Sequence, residues 1–290
     1  MKRLIALMLV VAGVAALMMT GSANANCGAD HAPALKWYRG NTHTHTFWSD
    51  GNHFAEAAAS WYKKHGYQFV VLTDHNNRPT KEGWKKVSSQ AAGKLAKEFG
   101  HDHVKTMEND KGETLHRLMD YDEIAKLLNV KEKFCVVPGE ELTDGCGPNP
   151  VHMSAINTAK TIGVKRKATV LETAKADAAR VVAHAKAHKR PVFLQLNHPN
   201  WRWDMTAEVL AEVTDADGFE LMNPACHNMG DAHSPNTERM WDIAATLRLK
   251  KYLAKPIWGV AADDTHNYHD FEKNVTKSNP GRCFVMVRAK

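Results

Sequence analysis

NTHTHTFWSDG, residues 41 to 51, places His43, His45 and Asp50 in one short run, directly after a segment, Leu35 to Arg39, with the character of a strand. On extended backbone, side chains two residues apart point the same way, so His43 and His45 can grip one ion together. The turn residues Ser49, Asp50 and Gly51 can return a carboxylate to the same point. Neutral imidazole plus carboxylate suits divalent transition metals. The competing reading is a polar, Thr-rich edge strand with incidental histidines. The choice turns on whether further ligands stand at the ends of other strands.

The sequence has 290 residues and a formal charge of +6. It opens with a leader pattern: Lys2 and Arg3, an apolar run from Leu4 to Met19, and the small-x-small site Ala23, Asn24, Ala25. This predicts a signal peptide over 1–25 and export to the periplasm or beyond. The apolar run is shorter than the roughly 20 residues needed to cross a bilayer, so no stable membrane anchor is expected. The remainder, 26–290, has the size of one barrel domain. Without Lys2 and Arg3 the charge falls to +4, mildly basic and compatible with anionic substrates. No dense Lys/Arg block with interleaved aromatics suggests nucleic acid. Cys27, Cys135, Cys146, Cys226 and Cys283 are too scattered for a disulfide scaffold, although one or two bridges are possible. No CxxC pair occurs, so a metal site would use nitrogen and oxygen.

Along the chain, Lys36 to His43 reads as the first strand. A helix with Phe54, Ala57, Ala58 and Trp61 on its apolar face follows and stops at Gly66. Gln68 to Leu72 is a continuously apolar strand ending in Thr73, Asp74 and His75. The segment 81–130 is more charged and reads as an insertion with at least two helical pieces, of which Tyr121 to Leu128 is the clearest. Its His101 and His103 read as solvated. Phe134 to Val137 is a strand leading to Gly139, Glu140 and Glu141, and Val151 to Asn157 opens with His152. Val170 to Lys189 is an amphipathic helix with Leu171, Ala174, Ala178, Val181, Val182 and Ala185 inward; His184 and His188 read as surface residues among lysines. Val192 to Leu196 ends in Asn197 and His198. A short helix over Ala207 to Val213, a strand Phe219 to Met222 carrying Glu220, and a helix opened by Ser234 and Pro235 follow. Ile257 to Ala261 ends at Asp263, Asp264 and His266, and Cys283 to Val287 is the last strand.

Strands alternating with helical or loop connections argue for an α/β fold with a parallel sheet closed into a barrel. In such folds the site is built at the carboxyl ends of strands. The ligand-type residues there are His43, His45, Asp50, His75, Glu141, His152, His198, Asp264 and His266. Their joint occurrence points to one site, since buried ionisable groups need partners or metal. Alternation of faces lets only one of Glu140 and Glu141, and one of Asp263 and Asp264, point inward.

The motifs HTHTFWSDG, LTDH, PGEEL, HMSAIN, NHP and ADDTH, in this order over nearly all of the segment after the leader, resemble the PHP family, the polymerase and histidinol phosphatase superfamily of metal-dependent phosphoesterases. The resemblance implies a distorted seven-stranded (β/α), TIM-like barrel holding two or three divalent ions, zinc, manganese or iron, at one mouth. It assigns His43, His45, Glu141 and Asp264 to a first ion. Glu141 bridges to a second, completed by His152 and His198, and Asp50, His75 and His266 hold a third. Glu141 is preferred because the family ligand stands two residues after the glycine, here Gly139, and Asp264 because it precedes His266 by two. Asn41 departs from the family, where many members carry an acidic residue beside the HxH. Members similar to this chain often continue past the last strand, so a closing helix is expected to be missing.

The implied reaction is hydrolysis of a small phosphate ester by a metal-activated water, with Glu141, His198 and Asp264 central to the chemistry. Arg78, Arg202 and His227 are candidate substrate contacts, because guanidinium matches phosphate geometry and His227, with Asn223 and Asp231, follows Glu220 where the mouth should be. Two other readings stand beside it: a metal-dependent hydrolase of a non-phosphate ester, amide or carbamate, and a non-catalytic metal-binding module.

Overall fold

The computed structural model describes residues 35–224, 226, 236–269 and 278–290. The leader, Cys27, His227, Asp231, Ser234 and Pro235 lie outside them. Eight strands form the main sheet: β1 (Lys36–Asn41), β2 (Phe69–Leu72), β6 (Cys135–Cys146), β7 (Asn149–Ile156), β8 (Phe193–Leu196), β9 (Gly218–Met222), β10 (Trp258–Ala261) and β11 (Val285–Ala289). Their spatial order is β10-β9-β8-β7-β6-β2-β1-β11. Just beyond β1 and β10, Thr44 and Thr265 form a parallel bridge, with the His45 N–H donating to the Thr265 carbonyl at 2.9 Å. That contact brings β1 through β10 round into a nearly closed barrel of seven strands. β11 is an eighth, laid antiparallel on the outer edge of β1.

The expectation of a parallel sheet needs correction at β7 as well as β11. β7 runs antiparallel to both β6 and β8, because β6 continues well past Val137 and turns back through Gly147 as a hairpin. Gly147 takes the left-handed backbone, φ 61°, that a tight reversal requires. Reversal moves the start of β7, with His152, to the same mouth reached by the ends of its parallel neighbours.

Helices cover the sheet where the apolar periodicity places them. α1 (Ala55–Lys64) and α3 (Tyr121–Leu128) pack with β2 and β6 around Tyr62, Val70, Ile124 and Val136. α4 (Val170–Ala187), α5 (Ala207–Glu212) and α6 (Thr237–Lys250) cover β7 to β9 through Ala178, Val181, Leu210, Phe219 and Met240. Asn236 caps α6, its side chain accepting from the Arg239 N–H. Trp61 is half-buried, and Tyr62 takes the fully buried place on α1. Val182 is exposed, contrary to its place on the expected inner face of α4. His184, expected at the surface, is buried and accepts from the Ala159 N–H at 3.0 Å, while His188 is exposed.

Within 81–130 the helices are α2 (Ser89–Phe99) and α3, and a small antiparallel sheet in the order β3-β5-β4 joins them: β3 (Gly83–Lys85), β4 (Thr106–Glu108) and β5 (Thr114–Leu118). No apolar alternation marks these strands, which are short and largely solvated. His101 is exposed, and His103 lies 3.3 Å from Glu56, away from the barrel mouth. Cys135, Cys146, Cys226 and Cys283 are free thiols, so no bridge joins the described cysteines.

Candidate metal centre

The loop after β1 is shaped by Asp74, at the end of β2. Its carboxylate accepts from the Thr46 N–H at 2.7 Å, the Thr46 hydroxyl at 2.8 Å and the Ser49 hydroxyl at 2.6 Å. Gly51 then passes so close to the backbone of His45 that a Cβ on it would stand 2.5 Å from the His45 carbonyl carbon. The two contacts fold the run back on itself and bring Asp50 to His45, with Asp50 Oδ1 at 3.7 Å from Nδ1.

Asn41 stands beside the two histidines with its amide fully engaged. Its Oδ1 accepts from the Asp263 N–H at 2.8 Å, and its Nδ2 lies 2.8 Å from the His43 carbonyl and 2.7 Å from Thr44 Oγ1. The amide accepts and donates at once, tying the end of β1 to the end of β10; an ionised carboxylate could only accept.

All nine candidate ligands converge. His43 Nε2 and His45 Nε2 face each other at 2.9 Å, and Asp264 Oδ1 lies 3.2 Å from each. Glu141 is the centre: Oε1 lies 3.3 Å from His43 Nε2, 3.3 Å from His152 Nδ1 and 3.5 Å from His198 Nε2, while Oε2 lies 2.6 Å from His75 Nδ1. Asp50 Oδ1 joins His75 Nε2 and His266 Nε2, 3.3 Å from both. Three donor groups emerge, His43–His45–Glu141, Glu141–His152–His198 and His45–Asp50–His75–His266, with the donor atoms of each within 4.8 Å of one another. The first two are deeply set; the third opens to solvent through Asp50.

Backbone alternation separates the acidic pairs. Glu140 points away from the cluster and accepts from the Ile162 and Gly163 N–H groups at 2.6 and 3.0 Å. Asp263 also points away, accepting from the N–H groups of Gly281, Arg282 and Cys283 and from the Tyr62 hydroxyl. Asp264 reaches the cluster from a left-handed backbone, φ 51°.

Three buried side chains outside the nine support them. Glu220 Oε1 accepts from His43 Nδ1 at 2.6 Å, turning Nε2 inward, and its Oε2 accepts from the His198 N–H at 2.8 Å. Asn197 donates to Glu141 Oε1 at 2.8 Å, and Asn223 donates to Asp264 Oδ2 at 3.1 Å. The signal for Glu220 was present in the sequence as a carboxylate in an otherwise apolar strand. Asn197 and Asn223 carried none beyond their place at strand ends.

Burial opposes charge on Glu141, Asp264, His45 and His75, and the neighbours divide the outcome. For Glu141 burial pushes the carboxyl up, but His43, His152 and His198 together hold it well below its usual range. Asp264 is held down in the same way by His43 and His45. Burial lowers His45, and the adjacent His266 lowers it further, to about 3. His75 is pulled down by burial but raised more strongly by Asp50 and Glu141, to about 10.

These donors fit divalent cations. Ligand atoms about 2.0–2.2 Å from one ion stand roughly 3–3.6 Å apart, the spacing seen around Glu141. With both rings neutral, His43 Nε2 and His45 Nε2, 2.9 Å apart, would turn a lone pair each towards one cation. His152 Nδ1 is buried with Glu141 Oε1, 3.3 Å away, as its nearest charged neighbour, and makes no well-formed hydrogen bond. A cation would satisfy both.

The substrate candidates stand elsewhere. Arg78 is turned from the cluster, its guanidinium over the Tyr121 ring at 4.9 Å and 3.9 Å from Asp122. Arg202 is exposed at the rim, donating to the Pro148 carbonyl at 3.2 Å. Its neighbour Trp201, which sequence reasoning passed over, packs its ring 5.2 Å from His198 and 5.6 Å from His152.

The chain matches no protein-family model and no curated protein. Among solved structures it is similar to a two-domain protein from Bacteroides vulgatus containing a predicted PHP-like metal-dependent phosphoesterase, with 15% identity and a TM-score of 0.45, over 88% of this chain and 60% of that one. The chain thus spans about 60% of that protein's length. A candidate metal-dependent phosphoesterase from Bifidobacterium adolescentis aligns over 84% of this chain and 90% of its own, with 14% identity and a TM-score of 0.43. An amidohydrolase from Chromobacterium violaceum aligns over 79% and 88%, with 10% identity and a TM-score of 0.38. These are distant likenesses, and the reading of the centre rests on its residues.

Proposed function

We propose that this chain is a metal-dependent phosphoesterase of the PHP type, hydrolysing a small phosphate ester with a water molecule. The observation that carries the reading is Glu141, whose two oxygens are shared among all three histidine groups. Two or three divalent ions in those groups would supply an activated water and neutralise charge on the ester oxygens. His43, His45, Glu141 and Asp264 would hold the first, Glu141, His152 and His198 the second, and Asp50, His75 and His266 the third.

The remaining work falls to the chain itself. Glu220 and Asn197 fix the orientations of His43 and Glu141, so the donor atoms are in place before a substrate arrives. The open lip at Asp50, His75 and His266 leaves one side of the centre accessible to an ester. In the reaction the phosphorus–oxygen bond to the leaving group breaks, water oxygen takes its place on phosphorus, and a water proton ends on the departing oxygen.

The leader pattern of Lys2 to Ala25 makes the enzyme an exported one in this reading, with Asn26 the first residue of the mature protein. N-terminal sequencing of material recovered from outside the cytoplasm tests that part. For the activity, protein reconstituted with zinc, manganese or iron is assayed on phosphomonoesters and on a matched aryl carboxylate ester. Phosphate release is expected. Turnover of the carboxylate ester alone selects the non-phosphate reading, and turnover of neither selects a binding module.

A further inference from the structure

The segment after β8 presents a side chain that the proposed chemistry does not use. The chain turns tightly, the Trp201 N–H donating to the His198 carbonyl at 2.9 Å, and then takes left-handed backbone at two successive non-glycine residues, Arg202 at φ 60° and Trp203 at φ 59°. Such conformations are costly for residues with side chains and persist where their surroundings impose them. Here both flanks are anchored. Asn200, buried, donates to the Cys226 carbonyl, and Trp203 packs on the core beneath α4 to α6. Between these anchors Trp201 is left 37% exposed. Its ring stands at right angles to His198, with an interplanar angle of 87°, and at 63° to His152. The Arg202 guanidinium lies 5.5 Å from the ring centre. A wet indole is therefore held in fixed register beside the two imidazoles that complete the second donor group.

We propose that Trp201 is a specificity-determining platform for the leaving group, so that the site favours phosphate esters of alcohols bearing a flat aromatic ring. The inference rests on the phosphoesterase reading for its placement at the reaction. An indole offers a large apolar face and stacks on another ring offset or edge-on. An ester whose phosphate occupies the space beside Glu141, His152 and His198 would lay its organic group towards Trp201.

The test uses benzyl phosphate and butyl phosphate, whose leaving alcohols have similar basicity, so that a rate difference reads recognition and not intrinsic reactivity. Metal-reconstituted wild type, Trp201→Phe and Trp201→Leu are compared for kcat/KM on both esters. Binding of benzylphosphonate and butylphosphonate to the same proteins is measured by calorimetry. Wild type is expected to favour the benzyl member of each pair, Trp201→Phe to keep most of that preference, and Trp201→Leu to lose about three- to tenfold of it. An unchanged benzyl-to-butyl ratio in Trp201→Leu, with both esters slowed alike, would reduce Trp201 to a structural role and overturn the proposal. Equal affinity of wild type for the two phosphonates overturns it too, whatever the turnover. Benzyl preference in binding without hydrolysis of either ester would instead sink the phosphoesterase reading and leave the platform standing.

Discussion

Glu220 Oε1 and His43 Nδ1 meet at 2.6 Å with both side chains sealed from water. The carboxylate fixes which imidazole nitrogen carries the proton and leaves the other free to ligate. Glu220→Gln keeps the size of the side chain but removes the charge. Zinc affinity, measured by competition with a chelator, is expected to fall about 10- to 100-fold. Circular dichroism should still report the wild-type fold. Unchanged affinity would show that His43 needs no such partner.

His198 reaches Glu141 Oε1 at 3.5 Å from a strained backbone, φ 27°. His198→Ala removes one donor of the second group and leaves the barrel core untouched. The variant should bind fewer ions by elemental analysis and lose phosphoester turnover by about 100-fold or more, as expected for a centre that must orient both water and leaving group. Wild-type rates would remove His198 from the site.

Gly51 approaches the His45 carbonyl too closely for any side chain. Gly51→Ala should cost about 1–3 kcal/mol of stability through overpacking. Because the displaced atoms belong to His45, metal affinity should fall along with it. A thermal melt paired with a zinc titration checks both, and a variant that loses neither shows that the loop can shift at no cost.

His75 makes the stability of metal-free protein depend on pH. Burial lowers its affinity for a proton, but Asp50 and Glu141 outweigh burial and lift it from 6.5 to about 10. A group raised in the folded state stabilises fully below its unfolded value and loses that contribution as pH climbs through the folded one. Chelator-treated protein should therefore lose stability between about pH 6.5 and about pH 10, and His75→Gln should flatten that slope. Metal affinity should move the other way over the same window, since ligation needs the neutral imidazole. Melting temperatures of treated and loaded protein across this range decide it.

Much of the scaffold could be read from local chemistry. Phe69 to Leu72 is apolar at every position, and Asp120 with Glu123 forms a capping box at the start of α3, so both elements announced themselves. Strand direction did not, because an apolar run carries no polarity; only the reversal at Gly147 marks β7 as antiparallel. The lysine neighbours of His184 speak for the surface, but its spacing of three from Val181 puts it on the buried stripe. At the centre, strand ends exposed the candidate ligands; residue chemistry alone left Glu140 and Glu141 equal, the resemblance favoured Glu141, and the pleat of β6 turns Glu140 away to the Ile162 and Gly163 N–H groups, while Glu220 needed its partner 177 residues away in the chain.

Closure of the barrel through Thr44 and Thr265 puts its seam directly under the donors. His43 and His45 stand on one side of that seam, Asp264 and His266 on the other, with no further backbone pairing of β1 to β10 among the described residues. A cation held between the two sides would act as a clasp, drawing together the first and last parts of the barrel. The His45 amide, which crosses the gap to Thr265, should then exchange with solvent more slowly when the centre is loaded, so that one backbone proton reports occupancy without any substrate.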